Sequence, residues 1–126
     1  MEAVKEFKTD HKKHMKTAMD DLVASGTEEG FVIFETDAGK FLQFTYNKGE
    51  GLTFDLPRVN MSPQEQQRLK GLEGLDAITE TELSYLLQIG IDTRMGAQLA
   101  DRIFRDVFHC GSDYRVVATL DIETAE

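Results

Sequence analysis

Two histidines near the start of the chain are the first residues whose spacing could support chemistry. His11 and His14 lie three residues apart and beside Asp10, and residues three apart share one face of a helix. Such a pair could give two ligands to a metal ion, but protein zinc sites use three or four. The sequence has no His-Glu-x-x-His pattern and no second group of ligands. We therefore interpret these histidines as surface or boundary residues, and we expect no bound metal and no cofactor.

His109 and Cys110 place an imidazole next to the only thiol of the chain. Adjacent side chains point in different directions, and the negative potential at the end of a helix raises the pKa of a thiol. Carboxylates also occur near the predicted turns, but turns attract carboxylates whatever their function: they are Glu35, Asp37, Glu50 and Asp55. We therefore predict a packed cysteine, no catalytic residue and a protein that is not an enzyme.

Lysines are concentrated near the start of an otherwise acidic chain. Their clustering supports one alternative function, a regulatory domain that binds a small anionic ligand through Lys5, Lys8, Lys12 and Lys13. Against it, surface charges act over a Debye length of only about 8 Å at physiological salt. The net charge of the whole chain is -9, which would repel a phosphate backbone. We therefore expect no nucleic-acid partner.

The composition is that of one ordinary globular domain, spanning residues 1–126. Hydrophobic residues make up 40% of the chain, and no run approaches the ~20 apolar residues of a membrane-spanning helix. The first residues are charged and lack the apolar core of a secretory signal. A lone cysteine rules out an intrachain disulfide and agrees with a reducing compartment. We therefore expect a cytoplasmic protein that does not bind membranes.

The stretch from Gly30 to Pro57 organises the predicted fold, because it carries most of the aromatic residues between two glycine-bearing turns. It predicts a three-stranded antiparallel meander with strands at 31–36, 40–46 and 51–56. The first of these strands is apolar on both faces, as expected of a strand that is covered on both sides.

The second strand of the meander has one apolar face and one mixed face. Phe41, Gln43 and Thr45 lie on the mixed face, and these three are our candidate partner-binding residues. The alternative is that the strand aromatics belong to the core, as expected of a sheet with helices on one side.

One helix is predicted on each side of the meander. The first covers about 2–25, because its apolar residues recur three or four apart. The second begins at Pro63, where Ser62 and Glu65 form a capping box, and ends near 71–74.

A second capping box follows at 79–82. It predicts a short helix over 80–88. A strand over 83–91 is the alternative.

A longer helix and a last strand complete the pattern. Asp92 or Thr93 caps a helix whose apolar face runs over 95–108, and residues 114–122 alternate as a strand that joins the meander. The order is α-β-β-β-α-α-α-β. It predicts a two-layer α+β fold, in which an antiparallel sheet of the meander and the C-terminal strand packs against helices.

Several of these patterns occur together in one known family. They are the amphipathic first helix, Phe-Val-Ile-Phe-Glu at 31–35, Lys-Phe-Leu-Gln-Phe at 40–44, Gly-Leu-Thr-Phe-Asp-Leu-Pro at 51–57, Ser-Pro-x-Glu-Gln from Ser62, and Leu-Ala-Asp-Arg-Ile-Phe-Arg-Asp-Val-Phe at 99–108. In this combination the chain resembles the type III secretion chaperone-like superfamily, and within it the TY-chaperone and YbjN-type domains, over about residues 15–122. It departs from those domains at Leu72-Glu73-Gly74, which lacks their frequent tryptophan.

The resemblance implies a small α+β protein that is not an enzyme, is often dimeric and holds an extended client segment against its helices and sheet. Our first functional hypothesis is therefore a protein-binding module that captures an extended segment of a partner or client. We also expect a homodimer, since one domain leaves a sheet edge or a helix to be covered. The apolar face of 95–108 would lie nearest the dimer axis unless the core uses all of it.

Overall fold

The structure is a computed structural model and describes residues 2–122. Its elements are, in chain order, β1 (Glu2–Phe7), α1 (His11–Ala24), β2 (Glu29–Thr36), β3 (Phe41–Asn47), β4 (Gly51–Pro57), α2 (Pro63–Lys70), β5 (Thr79–Glu80), β6 (Ser84–Gly90), α3 (Thr93–Arg102) and β7 (Val116–Ile122). A short 3-10 turn at Arg58–Asn60 follows β4, and a π turn at Ile103–Val107 follows α3.

The strands form one antiparallel sheet in the order β1-β7-β2-β3-β4-β6-β5. The predicted meander is confirmed as β2, β3 and β4, and the last strand joins it beside β2. The helices pack on one side of this sheet, where α1 lies against α3 and against β2 and β7. The predicted two-layer α+β fold is therefore confirmed.

Phenylalanines from adjacent strands form the centre of the core. Phe34, Phe44 and Phe54 are fully buried, and their ring centroids are 6.1 Å and 5.7 Å apart along the row. Met15 and Met19 of α1 belong to the same cluster. Full burial of a side chain of this size stabilises a fold by about 1.5–3 kcal/mol, so this row of rings fixes the sheet against the helices.

The first predicted helix is wrong at its start. Glu2–Phe7 pairs with β7 as an edge strand, and α1 begins only at His11. Asp10 separates the two with a φ of 50°, which lies outside the helical region. Val4 fits the helical spacing but is 62% exposed on the strand. Pairing satisfies backbone groups that β7 would otherwise leave open, and this outweighs a marginal extension of the helix.

The helix predicted over 80–88 is also wrong, and the alternative strand is correct. β6 pairs with β4 and directs Tyr85 and Ile89 into the core. The capping-box residues form a turn instead, in which Thr81 Oγ1 donates to the carbonyl of Ser84 at 2.9 Å. A cap stabilises a helix by about 1 kcal/mol, whereas the strand also satisfies the backbone groups along the edge of β4.

The starts of α2 and α3 are confirmed. Glu65 N donates to Ser62 Oγ at 3.1 Å and Ser62 N donates to Glu65 Oε1 at 2.7 Å, which completes the predicted capping box. Asp92 caps α3, since its Oδ1 accepts from Met95 N at 3.1 Å.

Most of the apolar face of α3 is used inside the chain. After Arg102 the helix widens into the π turn, where Phe108 N donates to the carbonyl of Ile103 at 3.0 Å. Leu99, Ile103 and Phe104 are all buried, and α3 packs on α1. Most of the surface on which the sequence places a dimer axis is therefore part of the core, while Met95 at its start is 38% exposed.

Candidate functional site

No helix in the described part of the chain packs on the second side of the sheet, which we call the open face. Alternation along each strand and the pairing register decide which side chains belong to it. They are Glu2, Val4 and Glu6 of β1, Glu29, Phe31, Ile33 and Glu35 of β2, Phe41, Gln43, Thr45 and Asn47 of β3, Thr53, Asp55 and Pro57 of β4, Thr79 of β5, Ser84, Leu86 and Gln88 of β6, and Val117, Thr119 and Asp121 of β7.

The pairing register lines these residues up in rows across the sheet. The middle row includes Thr119, Ile33, Gln43, Asp55 and Leu86, each directly opposite the next. Gln43 Nε2 donates to Asp55 Oδ2 at 3.0 Å. A polar pair therefore lies at the centre of the open face with aliphatic side chains on both sides.

Apolar side chains on the open face are at most half-buried. Val4 of β1 is 62% exposed. The half-buried ones are Phe31 and Ile33 of β2, Phe41 of β3, Pro57 of β4, Leu86 of β6 and Val117 of β7. The prediction that 31–36 is covered on both sides is therefore wrong for its second face. This strand lies between two others, as expected, but helices cover only the side of Val32 and Phe34.

Two shallow depressions lie on either side of the centre. One of about 440 Å³ is lined by Phe31, Thr45 and Asp121 among others. The other, of about 530 Å³, is lined by residues that include Thr53 and Leu86. Neither is an enclosed cavity, so the open face suits a chain laid across it better than a small molecule held within it.

The charge of the open face is entirely acidic among the residues that its strands contribute. Its carboxylates are Glu2, Glu6, Glu29, Glu35, Asp55 and Asp121, and no strand within residues 2–122 directs a lysine or arginine to it. Arg115 lies just outside β7, where its Nε is 2.5 Å from Glu6 Oε1 and its Nη1 is 3.6 Å from Asp37. The hydrogen bond from Arg115 lowers the pKa of Glu6, so the guanidinium of Arg115 is already paired.

Asp55 carries an oxygen without a hydrogen-bond partner. Its Oδ1 atom is buried and accepts no hydrogen bond from any described residue, whereas Oδ2 is bonded to Gln43. A buried polar atom left without a partner costs about 1–3 kcal/mol. The unpaired Asp55 oxygen therefore destabilises the sheet, and no contact within the described residues compensates for it.

β3 places all three predicted partner-binding residues on the open face. Phe41, Gln43 and Thr45 are half-buried there, and each lies opposite a residue of β2. Their neighbours Ile33 and Asp55 were missed in the sequence. The sequence predicts that the side of the strand bearing Ile33 is covered. Asp55 lies beside Gln43 because of the pairing register between β3 and β4, and the sequence alone does not reveal that register.

The predicted anion-binding lysines are only partly brought together. Lys8, Lys12 and Lys13 line a depression of about 480 Å³ with Arg105. Lys5 lies instead on β1, opposite Ala118 on the helix side of the sheet. The same depression also contains three carboxylates, Asp10, Asp101 and Asp113, which weaken its attraction for an anion.

A hydrogen-bonded network lies beneath these lysines. The Nε2 N–H of His11 donates to the carbonyl of Tyr114 at 2.6 Å, and the two rings stack with centroids 3.7 Å apart. The Tyr114 hydroxyl donates to Asp101 Oδ1 at 2.7 Å, and Arg105 Nε donates to the same oxygen at 2.9 Å. Burial, together with the bond to Asp101, raises the pKa of Tyr114 well above its usual range. These contacts tie α1, α3 and the segment before β7 together, which is a structural role for His11.

Cys110, His11 and His14 all pack against neighbouring side chains. Cys110 is half-buried against the core, and burial raises the pKa of its thiol, which is the opposite of the shift that a nucleophile needs. His14 stacks on Phe7, with ring centroids 4.9 Å apart. Within residues 2–122, no three His, Cys, Asp or Glu side chains are grouped so as to hold a metal ion.

The chain matches no known protein-family model, no curated protein and no solved structure. Among residues 2–122, no helix has both the length and the apolar character needed to cross a membrane. Its function is therefore inferred from the chemistry of its own surfaces.

Proposed function

We propose that this protein is a non-catalytic binding module of the cytoplasm that captures an extended segment of a protein partner on the open face. The observation that carries the proposal is the group of half-buried apolar side chains on a side of the sheet without a helix. Phe31, Ile33 and Phe41 are the central members of this group.

The shape and size of the open face support a polypeptide as the ligand. An extended segment presents alternate side chains to one side, and side chains laid on an apolar surface contribute about 25 cal/mol for each Å² removed from water. The shallow depressions beside Thr45 and Thr53 give such side chains places to lie. The type III secretion chaperone-like resemblance implies a client held against helices and sheet, and the open face would supply the sheet part of such a surface.

The test compares two single substitutions in purified protein. Partners captured from an extract of the source cells are purified and titrated calorimetrically against wild type, Phe41→Ser and Ile91→Ser. Phe41 lies on the open face, whereas Ile91 is 74% exposed in the turn before α3. We expect Phe41→Ser to weaken binding at least tenfold, which corresponds to about 1.4 kcal/mol, and Ile91→Ser to leave it within about twofold.

Circular dichroism first establishes that both variants are folded. If folded Phe41→Ser retains the wild-type affinity for every captured partner, the open face is not the binding site and the proposal fails.

A second candidate is a regulatory domain that binds a small anion. It is favoured by one observation, that Lys8, Lys12, Lys13 and Arg105 line a common depression. A ligand of this kind raises the melting temperature at saturating concentration by mass action. A thermal-shift screen of inorganic phosphate, nucleotides and sugar phosphates separates the candidates, since an unchanged melting temperature with all of them excludes the second.

A further inference from the structure

The strands contribute charge of one sign only to the open face, and Arg115, just outside β7, is paired with Glu6 there. The lysines of the early cluster lie on the helix side, as the pairing of Lys5 with Ala118 and the position of Lys12 on α1 indicate. Lys40 also faces the helices, where it bonds Glu65. The separation of charge between the two sides follows from the strand register rather than from the net charge alone.

Two carboxylates on the open face are directly opposed. Glu2 of β1 pairs with Asp121 of β7 in the antiparallel register, and both belong to the open face. Like charges in directly opposite positions destabilise a sheet. A cation lying over this pair would relieve the repulsion, so the arrangement favours a positively charged ligand at this end.

Asp55 adds a third negative centre beneath the middle of the open face. Its buried Oδ1 has no partner among the described residues, and the neighbouring donor Gln43 serves only Oδ2. A charge held in a less polar environment attracts a cation more strongly than the same charge in water. Asp55 therefore places a negative charge beside the half-buried apolar side chains of the open face.

The same charges disfavour a second copy of this chain as the occupant. Two open faces stacked on one another would bring together the acidic side chains of both copies, and like charges across an interface oppose association. The partner must supply what the open face lacks, which is positive charge beside apolar side chains.

We propose that the segment bound by the open face is basic and amphipathic, with lysine or arginine alternating with aliphatic residues along the side that contacts the sheet. This inference rests on the proposed function and adds the chemistry of the partner. The aliphatic side chains pack on Phe31, Ile33 and Phe41. The cationic groups lie over Asp55 and over the Glu2–Asp121 pair.

The experiment measures the binding of three labelled nine-residue probes by fluorescence polarisation. The basic probe is Lys-Ser-Val-Ser-Lys-Ser-Val-Ser-Lys, in which every second residue can face the sheet. The acidic probe has glutamate in place of lysine, and the polar probe has serine in place of valine. We expect the basic probe to bind at least about tenfold more tightly than either of the others, and to weaken as salt is raised.

Two substitutions, each of which removes one negative charge, test whether the basic probe binds at the open face. Asp55→Asn acts on the open face, and Asp21→Asn is its matched control, since Asp21 is an exposed residue of α1 in the helical layer. We expect Asp55→Asn to lower the affinity for the basic probe several-fold and Asp21→Asn to leave that affinity unchanged.

The other outcomes separate this inference from the proposed function. Equal binding of the basic and acidic probes, lost in Phe41→Ser, would overturn the basic partner and leave the binding face in place. If the polar probe binds as tightly as the basic one, the lysines alone account for binding and the valine side chains contribute nothing. That result would also overturn the proposal. If the basic probe does not bind at millimolar concentration, the proposal of a basic partner is also rejected. The titration of captured partners against wild type and Phe41→Ser then shows whether the open face binds any protein. A mass doubled by light scattering in wild type and restored to one chain by Phe41→Ser would identify a second copy as the occupant instead.

Discussion

Glu65 joins α2 to the start of β3 through a single carboxylate. It is only 6% exposed, and its Oε1 accepts from Ser62 N at 2.7 Å and from Lys40 Nζ at 2.8 Å. Burial by itself would raise the pKa of this carboxyl, but the hydrogen bonds from Lys40 and Ser62 outweigh burial and lower it. The side chain therefore caps α2 and holds it against the start of β3 while it is ionised.

The prediction at this scale is that Glu65→Gln destabilises the protein in a pH-dependent way. Glutamine can still complete the capping box, so the loss is mainly that of the charge-assisted bond to Lys40, about 1–2 kcal/mol near neutral pH. Because the pKa of Glu65 is lower in the folded chain than its ordinary value of 4.5, its stabilisation is present above that value. It is lost as pH falls through the folded pKa.

Urea unfolding of wild type and Glu65→Gln between pH 7 and pH 3 measures this difference. The gap in free energy of unfolding should be largest at neutral pH and should close in acid. Glu73→Gln, at an exposed position, is the control and should match wild type throughout. A gap that is constant with pH would show that the ion pair with Lys40 is not its source.

At the scale of elements, the contact between β4 and β6 depends on a glycine at the start of β4. Gly51 has a φ of 85°, and a Cβ at this position would lie 2.6 Å from the carbonyl oxygen of Gly90 and 2.7 Å from its Cα. The register between the two strands shifts just after this point, between Leu52 and Thr53. A backbone neighbour cannot move aside as a flexible side chain can, so only glycine fits here.

We predict that Gly51→Ala lowers the free energy of unfolding by about 2–4 kcal/mol, because strain at positive φ and overlap with Gly90 add together. Gly49→Ala is the matched control. Its φ is 96°, but nothing lies within 4 Å of the added Cβ, so it should lose only about 1–2 kcal/mol. Urea denaturation of the two variants gives both values, and equal losses would mean that the approach of Gly90 contributes nothing.

At the scale of the whole molecule, the surfaces open to self-association are limited. Apart from Met95, the apolar face of α3 belongs to the core, and the strands contribute only acidic charge to the open face. An exposed apolar pair remains at one end of the sheet, where Val59 is 92% and Leu83 is 79% exposed. The two lie on adjoining turns, since Arg58 N donates to the carbonyl of Leu83 at 2.9 Å.

The homodimer stays a prediction, and this end of the sheet is where we now place its axis. We expect light scattering to give about twice the 14.2 kDa of one chain at high micromolar concentration, as for two copies sharing a self-complementary patch. Leu83→Glu should restore the mass of one chain, because it puts like charges at the axis, while Ile91→Glu should not. A wild-type mass near 14.2 kDa at high concentration would reject the dimer.

The sequence by itself determined the elements that depend on neighbours along the chain. The meander follows from alternation between glycine-bearing turns, and the start of α2 follows from the capping box of Ser62 and Glu65. The start of α3 is equally local, although the sequence left its cap open between Asp92 and Thr93. These signals act within a few residues, so they can be read without knowing what lies across the fold.

Only the tertiary structure decided the role of 2–7 and 84–90 and the composition of the open face. Both segments carry spacing or capping that favours a helix, yet each becomes a strand because an unpaired edge of the sheet lies beside it. Alternation shows which residues of one strand share a side, but it does not show which strands are neighbours. The placement of Val4 beside Thr119, or of Asp55 beside Gln43, follows from pairing between segments distant in the chain, and that pairing is fixed when the core packs.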